Sequence, residues 1–161
     1  MKIIGIDPGV SGAIAILDEG ARLIEVFDMP VMPATKKRQQ VNGAEVARLL
    51  RNEFARAENF EVVAAILENV HTMPQQGVAS SGAFMEGVGV IKGVLAALGI
   101  PYELISPGVW KRRAGLIGKN KDASRTLAQQ LYPQVPLGRK KDVGRAEAIL
   151  IARYGGEPCQ R

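Results

Sequence analysis

The chain has 161 residues, 47% of them hydrophobic and 23% charged, which suits one folded domain with a real core and excludes a disordered or fibrous class. Its net charge of +5 is unevenly placed: residues 1–80 carry eight Lys/Arg against ten Asp/Glu, and residues 81–161 carry thirteen against six. That basic second half points to a polyanionic partner, nucleic acid first among them. One cysteine, Cys159, excludes an internal disulfide and a cysteine-based zinc site, and a reducing cytoplasm is the expected compartment. No apolar run approaches the ~18 residues of a membrane span, and Asp7-Pro8 interrupts the apolar start, so neither a membrane segment nor a secretory signal is expected.

Lys2–Asp7, Ala13–Leu17 and Arg22–Phe27 read as three short strands, with turns at Pro8–Gly12 and Asp18-Glu19-Gly20. Strands joined this tightly form an antiparallel meander. Met29–Gln40, with two prolines and the run Lys36-Lys37-Arg38, reads as a mobile basic loop. Asn42 is placed to cap a helix over Ala44–Glu58 whose apolar face is Val46, Leu49, Leu50 and Phe54. Val62–Leu67 is apolar without alternation, as in a central strand buried on both faces. His71–Ser80 reads as a loop and Ser81–Gly99 as a glycine-rich helix. Gly89 and Gly93 lie one turn apart, on a face that packs closely either on the sheet or on a second subunit.

Pro101–Ile105 returns after that helix as a strand parallel to Val62–Leu67. Ser106-Pro107 starts a helix. Trp110 and Leu116 pack inward from a segment that otherwise carries Lys111, Arg112, Arg113, Lys119 and Lys121. Helices follow over Asp122–Leu131 and Asp142–Tyr154, the second ended by Gly155-Gly156. The order predicts an α/β domain with a mixed sheet of about five strands.

Three carboxylates stand out because apolar sequence surrounds each: Asp7 and Glu68 at strand ends, and Glu147 within Ala146–Ala152. A lone buried carboxylate is costly unless it is paired or metal-bound. Three in one cluster raise one another's pKa, and divalent cations remove the conflict. Oxygen-only ligation suits Mg²⁺ or Mn²⁺, and two such ions are a common apparatus for cutting phosphodiesters. Asp142 lies five residues before Glu147, about 140° around a helix, so the two do not share a face. An N-cap role fits Asp142 better.

Asp7-Pro8-Gly9-Val10-Ser11-Gly12, Leu67-Glu68-Asn69-Val70, Met73-Pro74-Gln75-Gln76-Gly77, Pro107-Gly108-Val109-Trp110-Lys111 and Gly144-Arg145-Ala146-Glu147-Ala148 together resemble RuvC-type Holliday-junction resolvases of the compact, phage-like branch. The resemblance implies a single RNase H-like nuclease domain over residues 1–161. The sheet would be five-stranded, an antiparallel meander plus two parallel strands, flanked by helices. The implied activity is metal-dependent resolution of four-way DNA junctions by a homodimer, through paired symmetric nicks leaving 5′-phosphate and 3′-hydroxyl ends. An RNase H-like nuclease for other branched DNA or RNA-containing substrates is the alternative.

By position, Asp7, Glu68 and Glu147 match the family's metal-binding acids, and the resemblance implies Mg²⁺ or Mn²⁺, two ions per site. Asp142 stands one step from the usual place of a fourth ligand. His71 occupies the place of an aromatic wedge. Lys111 and Lys121 match backbone-contacting lysines, Lys121 with a catalytic role. Lys36, Lys37, Arg38, Arg112, Arg113, Lys119, Arg139, Lys140 and Lys141 are the expected DNA contacts. The helix over 81–99 is the expected dimer interface.

Overall fold

The computed structural model describes residues 1–55, 63–70, 77–120 and 122–156. The elements are β1 (Lys2–Asp7), β2 (Ala13–Asp18), β3 (Leu23–Asp28), β4 (Val31–Thr35), β5 (Arg38–Val41), α1 (Gly43–Ala55), β6 (Val63–Glu68), α2 (Val78–Ala97), β7 (Tyr102–Ile105), α3 (Pro107–Arg113), α4 (Ala123–Leu131) and α5 (Val143–Tyr154), the last entered through a 3₁₀ turn, Lys140–Asp142. The main sheet runs β3-β2-β1-β6-β7. β1 and β2, and β2 and β3, pair antiparallel; β1 with β6 and β6 with β7 pair parallel. The predicted meander plus two parallel strands is therefore the observed sheet.

Strand alternation divides the core into two layers. Ile4, Ile6, Ile14, Ile16, Ala65 and Leu67 face α1 and α2, where Val46, Leu50, Ile91 and Leu95 meet them. Ala13, Ala15, Leu17 and Ile66 face α5, where Trp110, Ala148, Ile149 and Ala152 close the second layer. The Asn42 cap is present: its Oδ1 accepts from the Glu45 N–H at 3.2 Å. Ser106 is the N-cap of α3, with Pro107 in the first turn. The side chain of Phe54 and the end of the predicted helix past Ala55 lie outside the described residues.

One expectation needs correction, and one left open is narrowed. Met29–Gln40 is not an irregular loop: β4 and β5 form an antiparallel hairpin with an irregularity between Pro33 and Thr35. Proline is tolerated on such an edge because its missing N–H need not pair. Met29 and Val41, both buried, anchor the hairpin ends to the core. In α2, Gly89 and Gly93 do not pack on the sheet: a Cβ added at either meets nothing within 4 Å. Among the described residues, no helix is long and apolar enough to cross a membrane.

Candidate active site

β1 and β6 are parallel neighbours with Ile6 opposite Leu67. The next residue on each strand is a carboxylate, so Asp7 and Glu68 emerge side by side at the carboxyl ends of two central strands. Residues two apart share a face, which puts both on the α5 side, with Gly5 and Ile66. Helix α5 crosses this face at very short range. A Cβ on Gly5 would lie 2.2 Å from the Ala148 carbonyl oxygen, and one on Gly144 would lie 2.3 Å from that of Ser11. These two glycines let the helix settle onto β1 and its turn. Glu147 is thereby brought to the other two acids.

Electrostatics record the cluster. Asp7 is pushed from an ordinary 3.8 to about 7, first by burial and then by the charges of Glu68 and Glu147; the Gly9 N–H and Lys111 oppose the rise. Glu68 is also pushed up, again mainly by burial and further by Glu147. The buried indole of Trp110 holds Glu68, donating its Nε1–H to Oε1 at 2.8 Å. Glu147 accepts from the buried Ser124 hydroxyl at 3.3 Å. Lys111 Nζ lies 3.4 Å from Glu147 Oε1 and 5.0 Å from the Trp110 ring centre. One ammonium thus serves as counter-charge to all three acids.

The donor set is oxygen-only and anionic, which is what hard divalent cations take. Among the described residues, no three such side chains are drawn together tightly enough to hold a metal ion as they stand. Their mutual repulsion, relieved only in part by Lys111, is the condition a divalent cation would satisfy. The residues fit the group in charge and chemistry.

Two solved structures of Thermus thermophilus RuvC superpose on the chain, one in complex with a Holliday junction substrate. That complex matches at TM-score 0.59 and 19% identity, covering 94% of this chain and 90% of RuvC. The other matches at 0.57 and 18%, covering 94% and 91%. The chain has the RuvC fold. It is also 34% identical, over a 154-residue alignment, to the chloroplastic Holliday junction resolvase MOC1 of Chlamydomonas reinhardtii. That alignment takes in 83% of this chain but only 17% of MOC1, so the chain spans about a sixth of that protein's length. No protein-family model matches the chain.

On this RuvC fold the other candidates separate. Asp142 is buried and bound to Arg139. It receives the Arg139 guanidinium (2.8 Å) and the Arg139 backbone N–H (2.8 Å), and this pairing holds its carboxyl below the usual range. Asp142 occupies the N-cap position of α5 but makes no side-chain cap bond there. Arg113 donates to the carbonyls of Tyr154, Gly155 and Gly156 and closes the end of α5. Arg145 pairs with Asp28, tying α5 to β3. Arg113 and Arg139 are therefore engaged within the fold, whereas Lys36, Lys37, Arg112, Lys119, Lys140 and Lys141 are exposed. Arg38 is exposed at the start of β5. His71 and Lys121 lie outside the described residues.

Sequence reasoning missed two members of the site. Trp110 was legible only as an inward-packing residue, although a buried indole N–H needs an acceptor. Ser124 gave no signal beyond its place in a helix. Removing the indole donor with Trp110→Phe is expected to destabilise the protein by about 1–3 kcal/mol near pH 8, the scale for a lost buried bond to a charged group. Urea midpoints of the variant and the parent at pH 8 check this.

Proposed function

We propose that this chain is a metal-dependent endodeoxyribonuclease that resolves four-way DNA junctions. The observation that carries the reading is the cluster of Asp7, Glu68 and Glu147 on one sheet face around a single lysine. Acids that repel phosphate have no place in a surface that only binds DNA. Sequence similarity to MOC1 supports the substrate, and the RuvC fold supports the placement of the acids. Residues 1–161 form one nuclease domain in this reading, and the single cysteine suits a reducing, cytoplasmic setting.

Asp7, Glu68 and Glu147 would hold Mg²⁺ or Mn²⁺, two ions per site, and bound metal supplies an activated water and charge stabilisation for in-line displacement at phosphorus. The chain's own residues prepare the site. Trp110 fixes one Glu68 oxygen, and Ser124 fixes one Glu147 oxygen. Lys111 sits where it can swing from Glu147 to a phosphate oxygen and offset developing charge. Asp142, bound by Arg139, serves the fold unless that pair opens, so three acids rather than four make up the ligand set. Lys121 and His71 keep the roles their positions suggest, at the scissile phosphate and at the junction centre. The exposed lysines and Arg112 grip the arms, and their contribution falls steeply with salt.

Paired nicks require two sites, and the outer face of α2 is the proposed homodimer surface. Gly82, Met85, Gly89, Gly93 and Ala96 are partly or fully exposed along it, and the open space at the glycines leaves room for a second backbone. Gly89→Glu is expected to halve the mass seen by sedimentation equilibrium while the monomer stays folded. An unchanged mass removes α2 from the interface.

The direct test incubates the protein with labelled four-way junction, linear duplex and RNA–DNA hybrid, in Mg²⁺ or EDTA. Symmetric nicks in the junction alone, lost in EDTA, are the expected result. Cutting of the hybrid alone would overturn the reading in favour of a ribonuclease.

A further inference from the structure

The two glutamates of the cluster do not offer both of their oxygens alike. Trp110, fully buried in the α5 layer of the core, donates its Nε1–H to Glu68 Oε1 at 2.8 Å. Ser124, buried in the first turn of α4, donates its hydroxyl to Glu147 Oε1 at 3.3 Å. The Lys111 ammonium lies 3.4 Å from that same oxygen. Among the described residues, the side-chain hydrogen bonds and ion pairs of both glutamates fall on Oε1 and none on Oε2. Helix α3, which carries Trp110, is itself tied to the end of α5 through Arg113, so the indole stays in place when the carboxylate turns.

We propose that Trp110 and Ser124 set the metal selectivity of the site: by engaging Oε1 of Glu68 and of Glu147 they confine each acid to ligation through one oxygen, which favours Mg²⁺ over Ca²⁺. The proposal deepens the nuclease reading and rests on it. Both are positioning residues that act through the glutamates. Denticity separates the two ions. Ca²⁺ takes about 6–8 oxygens at ~2.3–2.6 Å and fills that larger shell by binding carboxylates through both oxygens at once. Mg²⁺ demands near-ideal octahedral geometry at ~2.0–2.1 Å and keeps several waters, and the narrow bite of a chelating carboxylate does not fit an octahedron. An indole N–H on Glu68 Oε1, with a rigid core ring behind it, stands where a chelated ion would have to approach. At Glu147 Oε1 the hydroxyl and the ammonium take both acceptor sites of the oxygen. Lys111 can leave on its flexible stem; the hydroxyl of a buried serine stays. Asp7 is held more loosely, by the Gly9 N–H at 3.5 Å, so the restriction falls on the two glutamates.

Mn²⁺ is the probe. The full-length protein without DNA is loaded with Mn²⁺, the bound ion is read by electron paramagnetic resonance, and Mg²⁺ or Ca²⁺ competes for it. The parent should release Mn²⁺ to Mg²⁺ at a lower concentration than to Ca²⁺. Ser124→Ala should move the ratio of the two competition constants toward Ca²⁺ by about tenfold, the low end of the effect of removing a ligand's hydrogen-bond partner. Trp110→Phe should do the same at a temperature where circular dichroism shows it folded. Ser124→Thr, which keeps the hydroxyl, should retain the parent's ratio. An equal ratio in the parent and Ser124→Ala, or a parent that prefers Ca²⁺, overturns the proposal; junction cleavage by that parent in Mg²⁺ then leaves the nuclease reading standing. A parent with the expected ratio that cuts no junction sinks the nuclease reading and leaves the selectivity in place. A parent that neither binds Mn²⁺ nor cuts the junction overturns both.

Discussion

Asp7→Asn is expected to abolish strand cleavage, by about 10²–10³ or more, the scale of losing one charge-stabilising group at a reacting centre, while junction binding persists. The same substitution is expected to stabilise the metal-free protein. Asp7 has its carboxyl raised from 3.8 to about 7, chiefly by burial and then by Glu68 and Glu147. The folded state therefore holds a proton that the unfolded state has released. Stability contributed by this group is intact below pH 3.8 and declines as pH rises to about 7. A shift of that size corresponds to roughly 4 kcal/mol above the window. Asparagine keeps the shape and removes the charge. Thermal unfolding at pH 4 and pH 8 checks the sign: the variant should match the parent at pH 4 and exceed it at pH 8. Mg²⁺ should raise the parent's midpoint at pH 8 and leave the variant's unchanged. A parent equally stable at both pH values, relative to the variant, would show that Asp7 is not buried among like charges.

Gly5→Ala is expected to be among the most damaging single-methyl additions in the chain. The new Cβ would lie 2.2 Å from the Ala148 carbonyl oxygen, 2.4 Å from the Ala152 nitrogen and 2.7 Å from the Ala152 Cβ. Two of these are backbone atoms of a helix, with no side-chain torsion to relieve the clash. Helix α5 must lift from β1, at the upper end of the ~1–3 kcal/mol typical of overpacking or beyond it. Glu147 rides on that helix next to Ala148, so cleavage should fall further than stability alone accounts for. Urea unfolding and single-turnover cleavage at a temperature where the variant remains folded separate the two effects. Normal cleavage would show that the α5–β1 contact does not set the site.

Much of the site was legible because its chemistry is local in sequence. Asp7 and Glu68 each end an apolar run, and such a run with one terminal carboxylate is a strand presenting a charge at its edge. Glu147 stands out for the same reason in a helix whose other residues are mostly buried. The meander followed from tight turns, and the parallel strand from its helical crossover. The hairpin over 31–41 was obscured because Pro33 and the basic tip suppress the alternating pattern, and because Met29 and Val41 are too far apart to read as a pair. Asp142 was offered as a ligand only by the family resemblance, against its helical spacing from Glu147; its fate depends on Arg139, three residues away, whose side chain reaches it across the 3₁₀ turn.

Sequence by itself determined the strand order of the meander, the three acids and the basic surplus of the second half. These depend on residue type and on neighbours along the chain. Only the tertiary structure decided which partners the acids have: Trp110 for Glu68 across 42 residues, Ser124 for Glu147 across 23, and Lys111 among all three. Such contacts are set by how close α5 comes to the sheet. That distance rests on the missing side chains of Gly5 and Gly144, whose effect appears only once the elements are packed.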